Sequence, residues 1–391
     1  MKTTDFGPQI TQPAKLDYFL KSKTWILTRV QKRFLNFFGS LPDGSRIAPV
    51  FSSMSRKWIG AYIYSIKLEV NNQCQLKCKM CYVDRKTEEL PVTDIYKLLD
   101  DIRNYGIRLE ILGGEPLMRK DLIRIIEYAK KKSQIPFISL YTNGTLVTKD
   151  LAGKLKKAGL DAAIVTLVSN KPEIHDEFTG VKGSWNKTIT GIINLKEAGI
   201  TTYTFTAIHQ YNYTQFSEIY DFTTEDIGVH ALFYQYVPQC KDDPLSIDIH
   251  IWNKIKHWIL YDKNEYHMKY IRDFYMLTGN ACSGGNYVLT VKVDGSVQPC
   301  PFINNLALGN IKNEDIWTIY KNRYNNTRLK EFKSTPEKCK ECTYNSVCGG
   351  GCKAANDLLF GRYDHADHRC LGPFKEKIYK DEVAEKIPTF F

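Results

Sequence analysis

The residues best able to do chemistry in this chain are its cysteines, and most of its eleven are clustered. Cys74, Cys78 and Cys81 stand as C-x3-C-x2-C within NNQCQLKCKMCYVD. Cys282 and Cys300 flank Gly295 as C-x12-G-x4-C. Cys339, Cys342, Cys348 and Cys352 form C-x2-C-x5-C-x3-C, Cys370 follows, and Cys240 stands alone. Soft thiolates at these spacings suit zinc or iron–sulfur clusters. Three thiolates on a four-iron cubane leave one iron open, and an open metal position is where a substrate or cofactor can chelate. A structural zinc would take four protein ligands; three core or zinc thiols are the bland alternative for the first group.

The elements that must position these thiols are bounded by composition. At 391 residues, 43% hydrophobic and 25% charged, the chain suits a globular protein of two or three units. It has no apolar run long enough to span a membrane, and MKTTDFGPQI lacks the apolar region of a signal peptide. A cytoplasmic chain is expected, in which clustered cysteines bind metal or do redox chemistry rather than pair.

The first cysteine group, followed by the aromatic Tyr82, resembles the signature of the radical S-adenosylmethionine enzymes. The seven-cysteine pattern resembles their SPASM extension, and the two span residues 62–370. The resemblance implies three [4Fe–4S] clusters and S-adenosylmethionine as cofactors. By analogy Cys74, Cys78 and Cys81 hold the cofactor-binding cluster. Cys339, Cys342, Cys348 and Cys370 hold an outer auxiliary cluster. Cys282, Cys300 and Cys352 hold an inner one that is a thiolate short. Some relatives carry an extra cysteine where this chain has Val288. Cys240 reads as a buried apolar cysteine or as that missing ligand. Gly349, Gly350 and Gly351 let the chain wrap tightly between the two auxiliary sites.

Read without that resemblance, the chain alternates strands and helices. Strands are expected at 62–70, 108–112, 137–141, 162–168, 201–208 and 231–237. Helices are expected at 92–105, 120–132, 148–158, 186–198 and 214–226. Six such units imply a parallel sheet with helical crossovers, an α/β fold of the partial (β/α)6 barrel kind. In such barrels chemistry sits at the C-terminal ends of the strands. The cysteine loop, Gly113-Gly114-Glu115-Pro116 and Thr142-Asn143-Gly144 all fall there. The expected units are a basic extension 1–60, the barrel 61–240, a helical linker 241–281, the auxiliary-cluster domain 282–371 and a tail 372–391.

Gly113 and Gly114 would let the backbone approach a ligand closely. By resemblance this stretch contacts the methionine amine of the cofactor, and Glu115 would accept from that ammonium. Asn143 is a candidate for the methionine carboxylate or the ribose, or a plain Asn-Gly turn. Tyr82 is a candidate neighbour of the adenine, or a packing residue. The resemblance further implies reductive cleavage of the sulfonium, a 5′-deoxyadenosyl radical, and hydrogen abstraction from an unactivated C–H bond. It also implies a flavodoxin- or ferredoxin-type electron donor. No catalytic acid or base can be named.

Two departures narrow the substrate. Relatives that oxidise a sulfatase side chain have an acid directly after the second SPASM cysteine, where this chain has Pro301. The 73 residues before Cys74 do not read as the leader-binding domain of many peptide-modifying relatives. Instead, residues 16–38 place Phe19, Ile26, Val30, Phe34 and Phe37 near one helical face. The first 60 residues hold ten basic and three acidic side chains, within a chain of net charge +11. A basic amphipathic helix can lie on an anionic membrane surface, or pack across the barrel. No recognition motif for nucleic acid accompanies the charge. The leading expectation is radical chemistry on a peptide or protein side chain. The alternative is a membrane-associated lipid, isoprenoid or tetrapyrrole, on a cytoplasmic protein peripheral to the inner membrane face. A non-enzymatic zinc protein is the remote third.

Overall fold

The computed structural model describes residues 63–84, 88–248, 250–251, 282–343, 345, 349–368, 370 and 372–373. The amphipathic stretch 16–38, most of the linker 241–281 and Cys348 lie outside the described residues.

Six parallel strands carry the barrel: β1 (Ser65–Glu69), β2 (Arg108–Leu112), β3 (Ile138–Thr142), β4 (Ala162–Thr166), β5 (Thr201–Ile208) and β6 (His230–Gln235). They pair in sequence order, each parallel to the next. The expected strands therefore hold to within a few residues at their ends. Between them lie α1 (Val92–Asp101), α2 (Leu122–Glu127), α3 (Lys149–Ala158), α4 (Pro172–Thr179), α5 (Ser184–Glu197) and α6 (Phe216–Asp221). Two expected helices are shorter than their apolar spacing suggests: α2 and α6 each run into a π-type turn, at Tyr128–Lys132 and Phe222–Asp226. Helix α4 is an addition, begun by Pro172 and ended by left-handed Gly180.

Alternation along the strands sorts the side chains. Ile66, Leu68, Leu109, Ile111, Ile138, Leu140, Ala163 and Val165 join Ile95, Leu98 and Leu99 of α1 in the main core. The intervening positions form a second set, in which Phe137, Ala162, Ile164 and Tyr203 pack with Tyr141, Phe205 and Leu232. The sheet does not stop at β1. Strand β7 (Val288–Val291) pairs parallel with β1, and β8 (Ser296–Gln298) and β9 (Gly309–Asn310) follow antiparallel. Leu289, Val291, Val297 and Ile311 belong to the same core as the barrel. The barrel and the cysteine-rich region thus share one sheet of nine described strands. Helices α7 (Ile316–Asn322), α8 (Thr327–Phe332) and α9 (Lys353–Phe360) complete the described C-terminal part. Val288, the position of the extra cysteine in some relatives, is the first residue of β7 and pairs with Ser65. No described helix is long and apolar enough to cross a membrane.

Candidate active site

A cavity with about 1320 Å³ of free space, counted out to its open mouth, lies at the C-terminal ends of the strands. Cys74, Cys78, Cys81, Tyr82, Gly113, Gly114 and Asn143 all line it. The chain brings them together by stitching the cysteine loop to β2. The Gly114 N–H donates to the Asn71 carbonyl at 3.0 Å, and the Glu115 N–H to the Gln73 carbonyl at 2.6 Å. A Cβ on Gly113 would stand 2.3 Å from the Asn71 oxygen, and one on Gly114 2.2 Å from the Gln73 oxygen. Glycine is required here because another part of the chain, rather than only a ligand, approaches the backbone. On its other side the loop is held by α4, whose Thr179 and Phe178 carbonyls accept from Lys77 and Lys79 N–H.

Glu115 is not on the cavity wall. It is fully buried, and its carboxylate accepts from Leu117 N–H at 3.1 Å, Thr142 Oγ1 at 2.7 Å and Asn143 N–H at 2.8 Å. Burial pushes its pKa up to about 6, against the pull of those hydrogen bonds. These hydrogen bonds tie β2 to the turn after β3. Asn143, by contrast, faces the thiols: its Nδ2 is 3.7 Å from Cys74 Sγ. Its Oδ1 accepts from Gln75 Nε2 at 3.1 Å and Thr145 N–H at 3.0 Å. Thr188 of α5 donates to its carbonyl. Gly144 has φ +77°, and its carbonyl sits 2.1 Å from where a Gly191 Cβ would be, so α5 packs directly on this turn.

Tyr82 points toward the C-terminal region. Its ring lies 4.6 Å from that of Phe302, and Lys292 Nζ is 5.6 Å from its centroid. Burial raises its phenol, with Glu69 and the Cys300 and Cys81 thiols adding to the shift. Lys292 joins the two regions. It pairs with buried Glu69 at 2.8 Å and donates to the Pro301 carbonyl at 2.6 Å, next to Cys300. Sequence reasoning missed this pair, and also two residues that line the cavity, Lys67 and His175. Burial lowers His175 to about 4, so the ring is neutral, and Nδ1 accepts from Val168 N–H at 3.3 Å. The signal for Lys67 was present: SIKLE and RLEIL place Lys67 and Glu110 on alternate positions of strands expected to be buried on both faces.

Every described cysteine is a free thiol. The described auxiliary thiols fall into two neighbourhoods. Burial raises Cys300, and the thiols of Cys282 and Cys352 raise it further. Burial likewise raises Cys339, with Cys370 and Cys342 adding to it. Half-buried Lys333 reaches the Cys282 carbonyl at 2.7 Å, a cation placed where thiolate charge would accumulate. Cys240 is exposed, contrary to the expectation of a buried apolar cysteine. The cause is local. Asp243 accepts from Tyr236 OH, Gln239 N–H and Leu245 N–H, shaping a tight loop after β6 whose tip carries Cys240.

The model of the Radical SAM superfamily matches residues 68–223, and that of the SPASM iron-sulfur cluster-binding domain matches residues 282–343. The chain belongs to the radical SAM enzymes with a SPASM domain. It is 28% identical over 346 residues to an AdoMet-dependent heme synthase of Oleidesulfovibrio alaskensis, covering 78% of this chain and 86% of that one. It is 25% identical over 345 residues to an Fe-coproporphyrin III synthase of Methanosarcina barkeri, covering 77% and 86%. Among solved structures, Streptococcus suis SuiB bound to S-adenosylmethionine superposes with a TM-score of 0.64 at 17% identity, over 84% of this chain and 83% of that one. This radical SAM chain therefore shares the fold of that protein.

Proposed function

We propose that this radical SAM enzyme acts on an iron tetrapyrrole at the cavity lined by Cys74, Cys78 and Cys81. The observation that carries the reading is the near end-to-end match to two relatives named for heme and Fe-coproporphyrin III synthesis, each covered over 86% of its length. The cavity suits such a ligand, because the rings of Tyr141, Phe205, Tyr234 and Phe302 line it and a conjugated macrocycle can stack on them. The peptide expectation has fold-level support alone, from SuiB at 17% identity. The lipid alternative rested on residues outside the described part.

In this reading Cys74, Cys78 and Cys81 hold a [4Fe–4S] cluster, and Gly113, Gly114 and Asn143 border S-adenosylmethionine. Cys282, Cys300 and Cys352 hold the inner auxiliary cluster. Cys339, Cys342, Cys348 and Cys370 hold the outer one. When bound, cluster and cofactor supply reductive sulfonium cleavage and hydrogen abstraction from carbon. The chain's part is to hold the cysteine loop on β2 through Asn71 and Gln73, fix Asn143 through Glu115, and wall off water with aromatic rings. An electron donor of the flavodoxin or ferredoxin class completes the system, and cytoplasmic placement fits it. Anaerobic enzyme with dithionite and S-adenosylmethionine should form 5′-deoxyadenosine faster with iron coproporphyrin III than without it. No stimulation by the tetrapyrrole, or stimulation by a peptide in its place, overturns the reading.

A further inference from the structure

The wall of the cavity includes an ammonium that the cluster chemistry does not use. Lys67 lies on β1 directly opposite Glu110 on β2, and the two side chains form an ion pair. Glu110 is engaged on both oxygens, by Ser65 Oγ on one and by Lys67 Nζ and the Tyr141 hydroxyl on the other. Lys67 is less confined. It lines the cavity, keeps 22% of its side chain exposed and lies 5.0 Å from the Tyr141 ring centroid. An ammonium has three donors, and Glu110 does not use them all. Among the described residues lining the cavity, Lys67 and His175 are the basic ones, and His175 is neutral.

Charge inside a barrel carries a desolvation cost that an apolar pair would avoid. Here that charge lines the same cavity as a stacked aromatic pair. The rings of Phe205 and Tyr234 stack with centroids 3.8 Å apart and planes at 9°. Lys292, the cation just after the neighbouring strand β7, is committed to Glu69 and the Pro301 carbonyl and does not line the cavity.

We propose that Lys67 is the anchor for a carboxylate of the substrate, with the stacked Phe205–Tyr234 pair bordering the substrate's ring in the same cavity. The inference rests on the tetrapyrrole reading and names the residue that would orient such a ligand. Lys67 is a specificity-determining residue in this account. Glu110 is a positioning residue that holds the ammonium in place and limits its pull on anions.

The test is binding to cluster-loaded, anaerobic protein, followed by the red fluorescence anisotropy of coproporphyrin III. Its tetramethyl ester serves as the uncharged control, and S-adenosylmethionine binding is measured in parallel. Loss of one charge-assisted contact predicts that Lys67→Met weakens coproporphyrin III about tenfold or more. Glu110→Gln, which frees the ammonium of its counter-charge, should bind the acid as tightly as wild type or more tightly. The ester should bind both variants as it binds wild type. A purely structural role would instead weaken acid and ester together in both variants, and that result overturns the proposal. So does equal binding of the acid by Lys67→Met and wild type, which leaves the tetrapyrrole reading standing. A loss of S-adenosylmethionine affinity without loss of coproporphyrin III assigns Lys67 to the cofactor's carboxylate and also overturns it. If wild type binds no coproporphyrin III, the substrate reading itself falls, and this inference with it.

Discussion

Gly114→Ala probes the join on which the site depends. The added Cβ would lie 2.2 Å from the Gln73 oxygen, 2.6 Å from the Gln73 carbonyl carbon and 2.8 Å from the Asn72 carbonyl carbon. All three are backbone atoms, so no side chain can swing away. The segment entering Cys74 must move by roughly 1 Å to regain an ordinary contact. Overpacking of this kind costs about 1–3 kcal/mol. The Gly114–Asn71 and Glu115–Gln73 hydrogen bonds add about 0.5–1.5 kcal/mol each if both are lost. A total of about 2–6 kcal/mol is a large part of a typical protein's stability. Urea unfolding should show a lowered midpoint, and anaerobic preparations should retain less iron and bind S-adenosylmethionine more weakly. Gly153→Ala is the control: it lies within α3 with nothing within 4 Å of its Cβ, and should stabilise by about 0.5–1 kcal/mol. Gly114→Ala with wild-type stability, iron and cofactor affinity would refute the reasoning.

Three further outcomes are expected. Glu115 titrates at about 6 in the folded chain against an ordinary value of 4.5, so the fold binds its proton more tightly than the unfolded chain does. Stability should therefore decline as pH rises between those values and level off above them, and urea unfolding at several pH values should find that component absent in Glu115→Gln. Lys292→Met strands buried Glu69 and should cost about 3–5 kcal/mol, most of it recovered in the Lys292→Met/Glu69→Met double variant; a double-mutant unfolding cycle measures this. Cys240→Ala should leave iron content and the cluster absorption unchanged, because Cys240 is exposed whereas the other described cysteines are half-buried or buried.

What the sequence disclosed was whatever depends on local spacing. Three thiols in eight positions and the alternation in Ser65–Glu69 and Arg108–Leu112 are properties of consecutive residues. They placed the cysteine loop and the first strands at one end of a barrel. What stayed hidden depends on distant partners. Nothing around Val288 says that β7 will pair with β1 across more than two hundred residues, so the two regions looked like separate domains. Gly113 and Gly114 read as room for a ligand because their actual neighbours, Asn71 and Gln73, are brought in by the fold. The hydrogen bonds that Glu115 accepts from Thr142 and Asn143 come from β3 and the turn after it, out of sequence reach. Cys240 read as buried because a lone cysteine usually is; the loop that Asp243 shapes leaves it exposed.

The most direct test compares wild type with the Cys74→Ala/Cys78→Ala/Cys81→Ala variant, both prepared anaerobically. Iron, sulfide and dithionite-driven 5′-deoxyadenosine are measured on each. With three four-iron clusters, wild type should hold about twelve irons and the variant about eight. Only wild type should cleave S-adenosylmethionine. Persistent cleavage in the variant, or stoichiometric zinc in place of iron in wild type, would contradict the account.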